Sequence, residues 1–342
     1  MPVSNVAIVG STGLVGLELV SILEKRLFPV GELRLFASEK SAGRHQSFRG
    51  KTIPVFPEEA IDFEGIDLAF FMASNEVARK YVPVAVESGA LVIDNSSAYR
   101  RDPEVPLVVP EVNAHRIDGH VGIIANPNCT TIQLVAGVFP IHRLSPVRRL
   151  LVSTYQSISG GGREAWDRLT GETRRFLDGE ASNVAFNLWP GIDRLLEDGY
   201  YYEEDKVIAE TRKILEAEDL AISATVVRVP VLRGHSVSVF METEEPLDLA
   251  DVWRALKEAP GLEVVEDPAD LDSLSPVSVA GRDVVKVGRL RRDRDSERGL
   301  LMWIVADNLR KGAALNAVQI AERALGLKRI GRRAGNLHRA RE

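Results

Sequence analysis

The first 128 residues carry short, continuous apolar runs separated by segments with helical spacing. In chain order up to Asn128 the runs are NVAIVG, ELRLFAS, DLAFFMAS, ALVIDNSS, PLVVPEV and VGIIANPN. Apolar runs without polar alternation are typical of parallel strands that are covered on both faces. Between the first two runs, Leu14 to Lys25 places apolar residues on one side at 3.6-residue spacing, which predicts a helix. This half is therefore predicted to be an α/β domain with a doubly wound parallel sheet.

Beyond residue 128 the apolar runs become longer and partly alternating. They read RRLLVSTYQSIS, AISATVVRVPV, HSVSVFMETE, DVVKVGRLRRD and LLMWIVADNL. This pattern predicts a second, α+β domain with a mixed or mostly antiparallel sheet over 129–308. Residues 309–327 have helical periodicity, with Leu315, Val318 and Ala321 on one face, and are predicted to return to the first domain of 1–128. The basic segment 328–342 has no apolar period and is predicted to be a solvated tail.

Composition narrows the class of protein. The 342 residues are 45% hydrophobic and 27% charged, with a net charge of -6, which argues against a nucleic acid or an anionic membrane as partner. The chain has no apolar run long enough to span a membrane, and its N-terminus enters a strand pattern at once, so a cytoplasmic protein is expected. One cysteine and six histidines without ligand spacing predict no intrachain disulfide and no metal site. Small molecules and copies of the chain itself remain as partners.

A glycine-rich segment, GSTGLVG, joins the first predicted strand to the first predicted helix. Glycines at such a turn let a pyrophosphate approach the amides at the positive end of the helix, which is typical of a Rossmann-type dinucleotide site. A tight strand-to-helix connection without a ligand is the alternative. The residues predicted to line the site are Gly10, Ser11, Thr12, Gly13, Leu14, Val15 and Gly16.

The end of the second predicted strand bears on the choice of dinucleotide. An acidic residue there binds the ribose 2′-hydroxyl and repels a 2′-phosphate. The segment LFASEKSAGR instead offers Ser38, Lys40, Ser41 and Arg44, which favours NADP(H). Glu39 lies in the same loop and leaves a role at an adenosine ribose open.

The single cysteine, Cys129, follows the run IIANPN and precedes a segment that can begin a helix. Pro127 keeps Asn126 out of helical geometry and sets a turn at this point. A thiol at a helix N-terminus is expected to have a lowered pKa, because free amides and the helix dipole stabilise the thiolate. A small buried apolar residue is the alternative for a lone cysteine.

His235 and Arg228 lie in one segment, RVPVLRGHSVSV. Nucleophilic thiol chemistry needs an acid or base within reach, and His235 can serve. A strand, a turn and a second strand can turn both side chains into one cleft, where a guanidinium suits a carboxylate. The alternatives are a structural histidine and an arginine in a surface ion pair.

Several of these motifs together resemble the aspartate-β-semialdehyde dehydrogenase family. GSTGLVG, NSSAYR, PNCTT, TYQSISGGG, EEDKVIAETRKIL, RVPVLRGHS and DNLRKGAALNAVQIAE stand in the order and spacing of that family, between Val6 and about Leu327. PNCTT, YQSISG and RGHS are the specific ones, whereas the glycine loop is widespread. Ser74 and Asn75 depart from a glycine pair that the family often has beside the cofactor, and NLWPGID departs from a commoner NVIPHID.

The resemblance implies a role for each matching residue. Cys129 matches the acyl-accepting nucleophile, His235 the acid/base catalyst and Gln156 the residue that orients the reacting group. The residues that match the substrate site are Arg228 (α-carboxylate), Glu203 (α-ammonium), Arg100 with Asn95 and Lys206 (phosphate), and Asn128. Adjacent Glu204 is an alternative to Glu203. The resemblance also assigns Ser159, Gly160, Asn308 and Gln319 to the cofactor site.

The activity implied is the NADPH-dependent reductive dephosphorylation of L-aspartyl-4-phosphate to aspartate-4-semialdehyde, in lysine, threonine and methionine biosynthesis, by a homodimer. One alternative is an N-acetyl-γ-glutamyl-phosphate reductase, whose substrate lacks the free ammonium that Glu203 would face. The other is a catalytically idle NADP-binding paralogue, which the presence of both Cys129 and His235 opposes.

Overall fold

In the computed structural model of the protein, which describes residues 3–327, two β-sheets are surrounded by helices. The strands of the first sheet are β1 (Ser4–Val9), β2 (Val30–Ala37), β3 (His45–Phe48), β4 (Lys51–Pro57), β5 (Leu68–Phe71), β6 (Leu91–Asp94) and β7 (Ile123–Ala125). Their order is β3-β4-β2-β1-β5-β6-β7, and all neighbours are parallel except β3 and β4. The chain leaves β1 in opposite directions towards β2 and β5, which creates a crevice at the carboxyl end of β1.

The second sheet has six strands. They are β8 (Val147–Gln156), β9 (Ala221–Arg228), β10 (His235–Thr243), β11 (Leu262–Val265), β12 (Val285–Arg292) and β13 (Gly299–Ala306). The order is β11-β12-β13-β10-β8-β9, with parallel pairs at both edges and antiparallel pairs between them. The mixed sheet predicted for the second domain is confirmed.

Nine α-helices accompany the sheets within residues 3–327. They are α1 (Leu14–Lys25), α2 (Asn75–Glu87), α3 (Pro110–Asn113), α4 (Cys129–His142), α5 (Gly162–Leu177), α6 (Tyr202–Leu215), α7 (Leu249–Glu258), α8 (Pro276–Val279) and α9 (Leu315–Ala324). A π-helical turn at Arg310–Ala314 leads directly into α9. None of these helices is long and apolar enough to cross a membrane.

Helices cover both faces of the first sheet, as a doubly wound fold requires. Val6 and Ile8 of β1 pack with α1 and α9, whereas Ala7 and Val9 pack with α2. The alternation follows from the two-residue period of a strand. The helix predicted over Leu14 to Lys25 has those bounds, and the predicted return of the last helix to the first domain is confirmed by the burial of Val318 in this core.

Helices α4, α6 and α7 cover one face of the second sheet and form the largest apolar core with it. The other face is open in the single chain. Along β8 every second residue is buried, while Leu151 and Tyr155 on the opposite face are 37% and 38% exposed.

Some predicted elements were wrong or missing. The run PLVVPEV does not form a strand: Leu107 makes an isolated bridge to Ala125, and α3 begins at Pro110. Proline supplies no backbone N–H to a sheet, so the two prolines that flank this run interrupt pairing. The β3–β4 hairpin and β11 were not predicted, because their residues are mostly polar or half-exposed. The predicted tail 328–342 lies outside the described residues.

Candidate active site

The site is a cleft of about 510 Å³ between the carboxyl ends of the first sheet and one edge of the second. Residues from both domains line it, among them Val15, Asn95, Cys129, Arg228 and Asn308. The cleft thus lies at the switch point, where open α/β sheets bind ligands.

Cys129 is the first residue of α4, as the proline turn predicts. Asn128 caps the helix, because its Oδ1 accepts hydrogen bonds from the backbone N–H groups of Thr130 (2.9 Å) and Thr131 (3.3 Å). Gly312 of the π-helical turn lies against this end of α4: a Cβ atom there would be 3.1 Å from Cys129 O and 3.3 Å from Cys129 Cβ. The last segment of the chain therefore forms a wall of the thiol site.

His235 lies beside the thiol, with Nε2 3.2 Å from Cys129 Sγ. It is the first residue of β10, and the pairing of Ser236 with Tyr155 brings it next to the end of β8. The backbone N–H of Ser157 donates a 3.0 Å hydrogen bond to His235 Nδ1. Because Nδ1 accepts, the proton of the neutral ring is on Nε2 and faces the sulfur.

The electrostatics of this pair differ from the prediction for the thiol. Burial and the nearby Glu203 carboxylate raise the pKa of Cys129 to about 11, although Arg228, Arg100 and Lys206 act in the other direction. The lowered pKa predicted from the helix N-terminus was therefore wrong, because desolvation of the thiolate outweighs the favourable charges. Burial and the Arg228 guanidinium hold the pKa of His235 well below its ordinary 6.5. In the unliganded protein both groups are uncharged.

Glu203 and Lys206 form an ion pair in the cleft, 2.7 Å from Oε2 to Nζ. Glu203 also accepts a 2.9 Å hydrogen bond from Asn128 Nδ2. Burial opposes the charge on both residues, but each lies beside the other, so the pKa of Glu203 is lowered and that of Lys206 raised. Glu204 is used elsewhere, since its carboxylate accepts from the backbone N–H groups of Tyr201 and Val226. Glu203 is thus the acid that faces the cleft.

Arg100 is buried at the opposite side of the thiol. It donates to Glu210 Oε1 (3.0 Å) and to the carbonyl of Asn95 (2.7 Å), and within residues 3–327 its Nε has no partner. Although burial opposes the charge, Glu210 raises the pKa of Arg100. The other oxygen of Glu210 accepts from the backbone N–H of Asn128 at 2.6 Å. One carboxylate therefore joins the guanidinium to the turn that carries the thiol.

Gln156 and Arg228 are register partners at the ends of β8 and β9. Arg228 donates to the carbonyl of Ser157 at 2.6 Å, and burial lowers the pKa of Arg228. Both side chains line the cleft together with Cys129. The strand ends thus bring together the catalytic and carboxylate-binding residues that the sequence predicts.

The glycine loop fits a dinucleotide. Gly10 has a φ of +86°, and a Cβ atom there would be 2.3 Å from the carbonyl oxygen of Met72. A Cβ at Gly16 would be 2.3 Å from Gly10 O, whereas Gly13 is exposed and meets nothing closer than 3.5 Å. Two glycines are therefore required for packing, and the third leaves the turn open towards a ligand.

The other predicted cofactor residues are divided between two places. Val15, Ser159, Gly160 and Asn308 line the cleft. In the loop between β1 and α1, Ser11 is buried and Thr12 and Leu14 are half-buried; after β2, Ser38 and Lys40 are exposed and Ser41 is half-buried.

Gln319 is not among the residues that line the cleft. Its side-chain amide accepts from Lys311 (2.8 Å) and donates to Glu111 (3.0 Å) inside a buried polar cluster.

Ser157 and Glu210 were missed by the sequence analysis. Glu210 lies one and two helical turns after Lys206 and Glu203 on α6, and that spacing is a signal that could have found it. Ser157 directly follows Gln156, but nothing in the sequence places its hydroxyl beside a histidine.

Comparisons with known proteins agree with this architecture. Residues 5–120 match the family "Semialdehyde dehydrogenase, NAD binding domain", and residues 138–311 match "Semialdehyde dehydrogenase, dimerisation domain". An aspartate-semialdehyde dehydrogenase of Aquifex aeolicus is 47% identical over 330 residues, 93% of this chain and 97% of the relative.

Solved structures are similar over the same extent. Aspartate semialdehyde dehydrogenase II from Vibrio cholerae, complexed with ASA, superposes with a TM-score of 0.90 at 41% identity and covers 95% of this chain and 99% of its own. The aspartate semialdehyde dehydrogenase of Candida albicans, solved with NADP, has a TM-score of 0.74 at 26% identity over 96% of this chain and 99% of its own.

A nucleotide-binding sheet, a dimerisation domain and a thiol beside an imidazole define an oxidoreductase of the semialdehyde dehydrogenase class. Within that class, identities of 43 to 47% over 93% of the chain decide the matter. The chain belongs to the aspartate-semialdehyde dehydrogenase family.

Proposed function

We propose that the protein catalyses the NADPH-dependent reductive dephosphorylation of L-aspartyl-4-phosphate to L-aspartate-4-semialdehyde and phosphate, through a thioester on Cys129. The observation that carries the proposal is the 3.2 Å contact of Cys129 Sγ with His235 Nε2, in a cleft that also holds separated positive and negative side chains. A zwitterionic acyl phosphate needs such a set, because each of its charges requires a counter-charge in a desolvated site.

Each charge of the substrate has a partner in this proposal. Arg228 receives the α-carboxylate, Glu203 the α-ammonium, and Arg100 the phosphate, with Asn95 and Asn128 beside it. The unpartnered Nε of buried Arg100 supports the phosphate assignment. Lys206 pairs with Glu203 at 2.7 Å in the free protein, and it turns towards the phosphate once the substrate ammonium takes its place.

The reaction divides into two steps at one sulfur atom. The Cys129 sulfur attacks the acyl carbon, a C–S bond forms, and the C–O bond to phosphate breaks; Gln156 and nearby backbone amides hold the developing oxyanion. When bound, NADPH supplies the hydride that reduces the resulting thioester. The thiohemiacetal on Cys129 then collapses, its C–S bond breaks, and His235 exchanges the proton of the oxygen.

The cofactor is proposed to lie along the loop Gly10–Gly16 and the cleft residues Ser159, Gly160 and Asn308. Ser38, Lys40 and Ser41 at the end of β2 would face a 2′-phosphate, which favours NADP(H) over NAD(H). The reaction is proposed to take place in the cytoplasm, where a reducing environment keeps a lone catalytic thiol free.

The protein is also proposed to be a homodimer through the open face of the second sheet. The residues 138–311 that match the dimerisation domain include β8, where Leu151 is 37% exposed, and the ring pair Tyr155–Trp303, with centroids 5.4 Å apart. Burial of this face against a second copy removes apolar surface from water.

The test is the reverse reaction of purified protein with aspartate-4-semialdehyde, phosphate and NADP⁺, followed by NADPH absorbance. Phosphate-dependent turnover is expected, with loss of activity in Cys129→Ser and a much lower kcat/KM with NAD⁺. Full activity of Cys129→Ser would contradict the thioester. Turnover of N-acetylglutamate semialdehyde in place of aspartate-4-semialdehyde would overturn the substrate.

A further inference from the structure

The imidazole of His235 has a second set of contacts, on the side away from the sulfur. Ser157 Oγ lies 3.0 Å from His235 Nδ1, and the same hydroxyl lies 3.0 Å from Asn308 Oδ1. All three residues are buried, with 0% of Ser157, 0% of His235 and 2% of Asn308 exposed. This inference rests on the proposed function, since it concerns how the ring carries a proton during the reaction.

The orientation of Asn308 is determined by its surroundings. The backbone N–H of Gly234 donates a 2.9 Å hydrogen bond to Asn308 Oδ1, so that atom is the oxygen. The amide nitrogen Nδ2 then donates to Ser159 Oγ at 3.0 Å. Oδ1 is therefore a fixed acceptor, to which Ser157 can give its hydroxyl proton.

A protonated ring would lack a partner without the hydroxyl. In the neutral ring, Nδ1 accepts from the backbone N–H of Ser157. In the protonated ring both nitrogens carry hydrogen, and a backbone N–H cannot accept the Nδ1 proton. A buried N–H without an acceptor is costly, so the ring needs an oxygen at this position.

We propose that Ser157 is a positioning residue whose hydroxyl accepts the Nδ1 proton of His235 when the ring is protonated, while Asn308 Oδ1 accepts the hydroxyl proton. The hydroxyl turns between two arrangements. It donates to Nδ1 of the neutral ring, and it donates to Asn308 and accepts from Nδ1–H of the protonated ring. The charged groups that face the ring are Arg228 from β9 and Cys129 from α4, with Glu203 of α6 beyond the sulfur.

The variant Ser157→Ala tests this role in the oxidation of aspartate-4-semialdehyde, where His235 must accept a proton. Loss of a hydrogen bond to a charged group is expected to lower kcat by about tenfold to a hundredfold, while KM for semialdehyde and phosphate changes by less than about threefold. Because only the protonated ring loses a partner, its pKa falls, and the acidic limb of the pH–kcat/KM profile moves to lower pH.

Ser236→Ala is the matched control. Ser236 follows His235 on β10 and is 2% exposed, and its Oγ has no hydrogen-bond partner within residues 3–327. Its removal is expected to leave kcat and the pH profile unchanged. Equal losses in both variants, or a loss of kcat in Ser157→Ala without movement of the acidic limb, would overturn the proposal, because packing alone would then explain the effect.

A measurement on the wild-type protein does not depend on a variant that folds or on the substrate. Solid-state NMR with ¹⁵N-labelled histidine, assigned by the signals lost in His235→Asn, is expected to show a neutral ring with hydrogen on Nε2 at neutral pH. Hydrogen on Nδ1 would contradict the arrangement from which the proposal is built. Wild-type protein without phosphate-dependent turnover would instead contradict the proposed function, and this spectrum would still test the ring.

Discussion

Cys129 lies among groups that act on its proton in opposite directions. The helix N-terminus and three cations favour the thiolate, whereas burial and Glu203 favour the thiol, and the result is a pKa of about 11. A substrate ammonium beside Glu203 would offset one of the two unfavourable contributions. The nucleophile is thus held uncharged in the free enzyme and becomes activated when the substrate arrives.

We expect Cys129 to be alkylated slowly in the native protein. With a pKa of about 11 in place of 9, the thiolate fraction at pH 8 is lower by about a hundredfold, and so is the rate with iodoacetamide relative to protein unfolded in urea. Mass spectrometry can follow the reaction at a single site, because the chain has one cysteine.

The pH dependence separates titration from shielding. The native rate should rise about tenfold per pH unit between pH 8 and 10, whereas the unfolded rate levels off near its ordinary pKa. A native rate that is already constant at pH 8 would mean that a thiolate is present.

Glu210→Gln is expected to weaken phosphate binding. The amide oxygen can still accept from the N–H of Asn128, but the charge that holds Arg100 is lost. KM for phosphate in the reverse reaction should rise by about tenfold, with a smaller change in KM for semialdehyde. Glu218→Gln is the control, since Glu218 is exposed on the chain just after α6. An unchanged KM for phosphate would separate Arg100 from this carboxylate.

The sequence predicted which residues meet in the site better than what charge state they hold. Cys129, His235, Arg228 and Gln156 could be placed, because they stand at strand ends or at a helix start marked by proline. The pKa of Cys129 could not, since it depends on burial by residues distant in the chain, such as Glu203. Gln319 was misplaced because its helical face was correct but its buried partner, Lys311, was not recognised.

At the scale of elements, the π-helical turn and α9 are anchored by a buried cation. Lys311 is 1% exposed and donates to Glu111 (2.6 Å), Asn316 (2.9 Å) and Gln319 (2.8 Å). All three ammonium protons are used, and Glu111 belongs to α3 in a distant part of the sequence. The cluster therefore ties the wall beside Cys129 to the first domain.

Lys311→Met is expected to lower the free energy of unfolding by about 3–5 kcal/mol, because it leaves the Glu111 carboxylate buried without a counter-charge. Urea unfolding followed by circular dichroism measures the change. Lys257→Met is the control, since its ion pair with Glu266 is exposed and contributes little. Lys311→Met with Glu111→Gln should recover part of the loss. A loss of less than 1 kcal/mol in Lys311→Met, a figure of about the size expected for an exposed pair, would contradict this role.

Elements were predictable where burial and periodicity agree. Helix α1 was found because its apolar stripe is regular, whereas the buried Val108 and Val109 were mistaken for a strand. Apolar runs report burial but not hydrogen bonding, and the flanking prolines decide the latter. The β3–β4 hairpin has the reverse character, since its backbone is paired while most of its side chains are exposed or half-exposed.

At the scale of the whole molecule, Leu151→Lys is expected to dissociate the proposed homodimer. The substitution puts a charge in the open face of the second sheet, beside Phe240 on the paired strand. Sedimentation velocity should show a species of half the wild-type mass. Val84→Lys on α2 of the first domain, where Val84 is 47% exposed, is the control and should not change the mass. A wild-type monomer, or a dimer that persists in Leu151→Lys, would contradict the proposed interface.

The return of α9 to the first sheet has a consequence for synthesis on the ribosome. Strand β7 completes the first sheet at Ala125, but the helix that covers part of one face begins at Leu315. At bacterial and eukaryotic translation speeds, about 10 to 40 s pass while the chain between them is made. During that interval Val6 and Ile8 lack part of their apolar cover, so the nascent chain presents a sticky surface that chaperones can recognise. The second domain is in effect an insertion, and it must fold before the first can be finished.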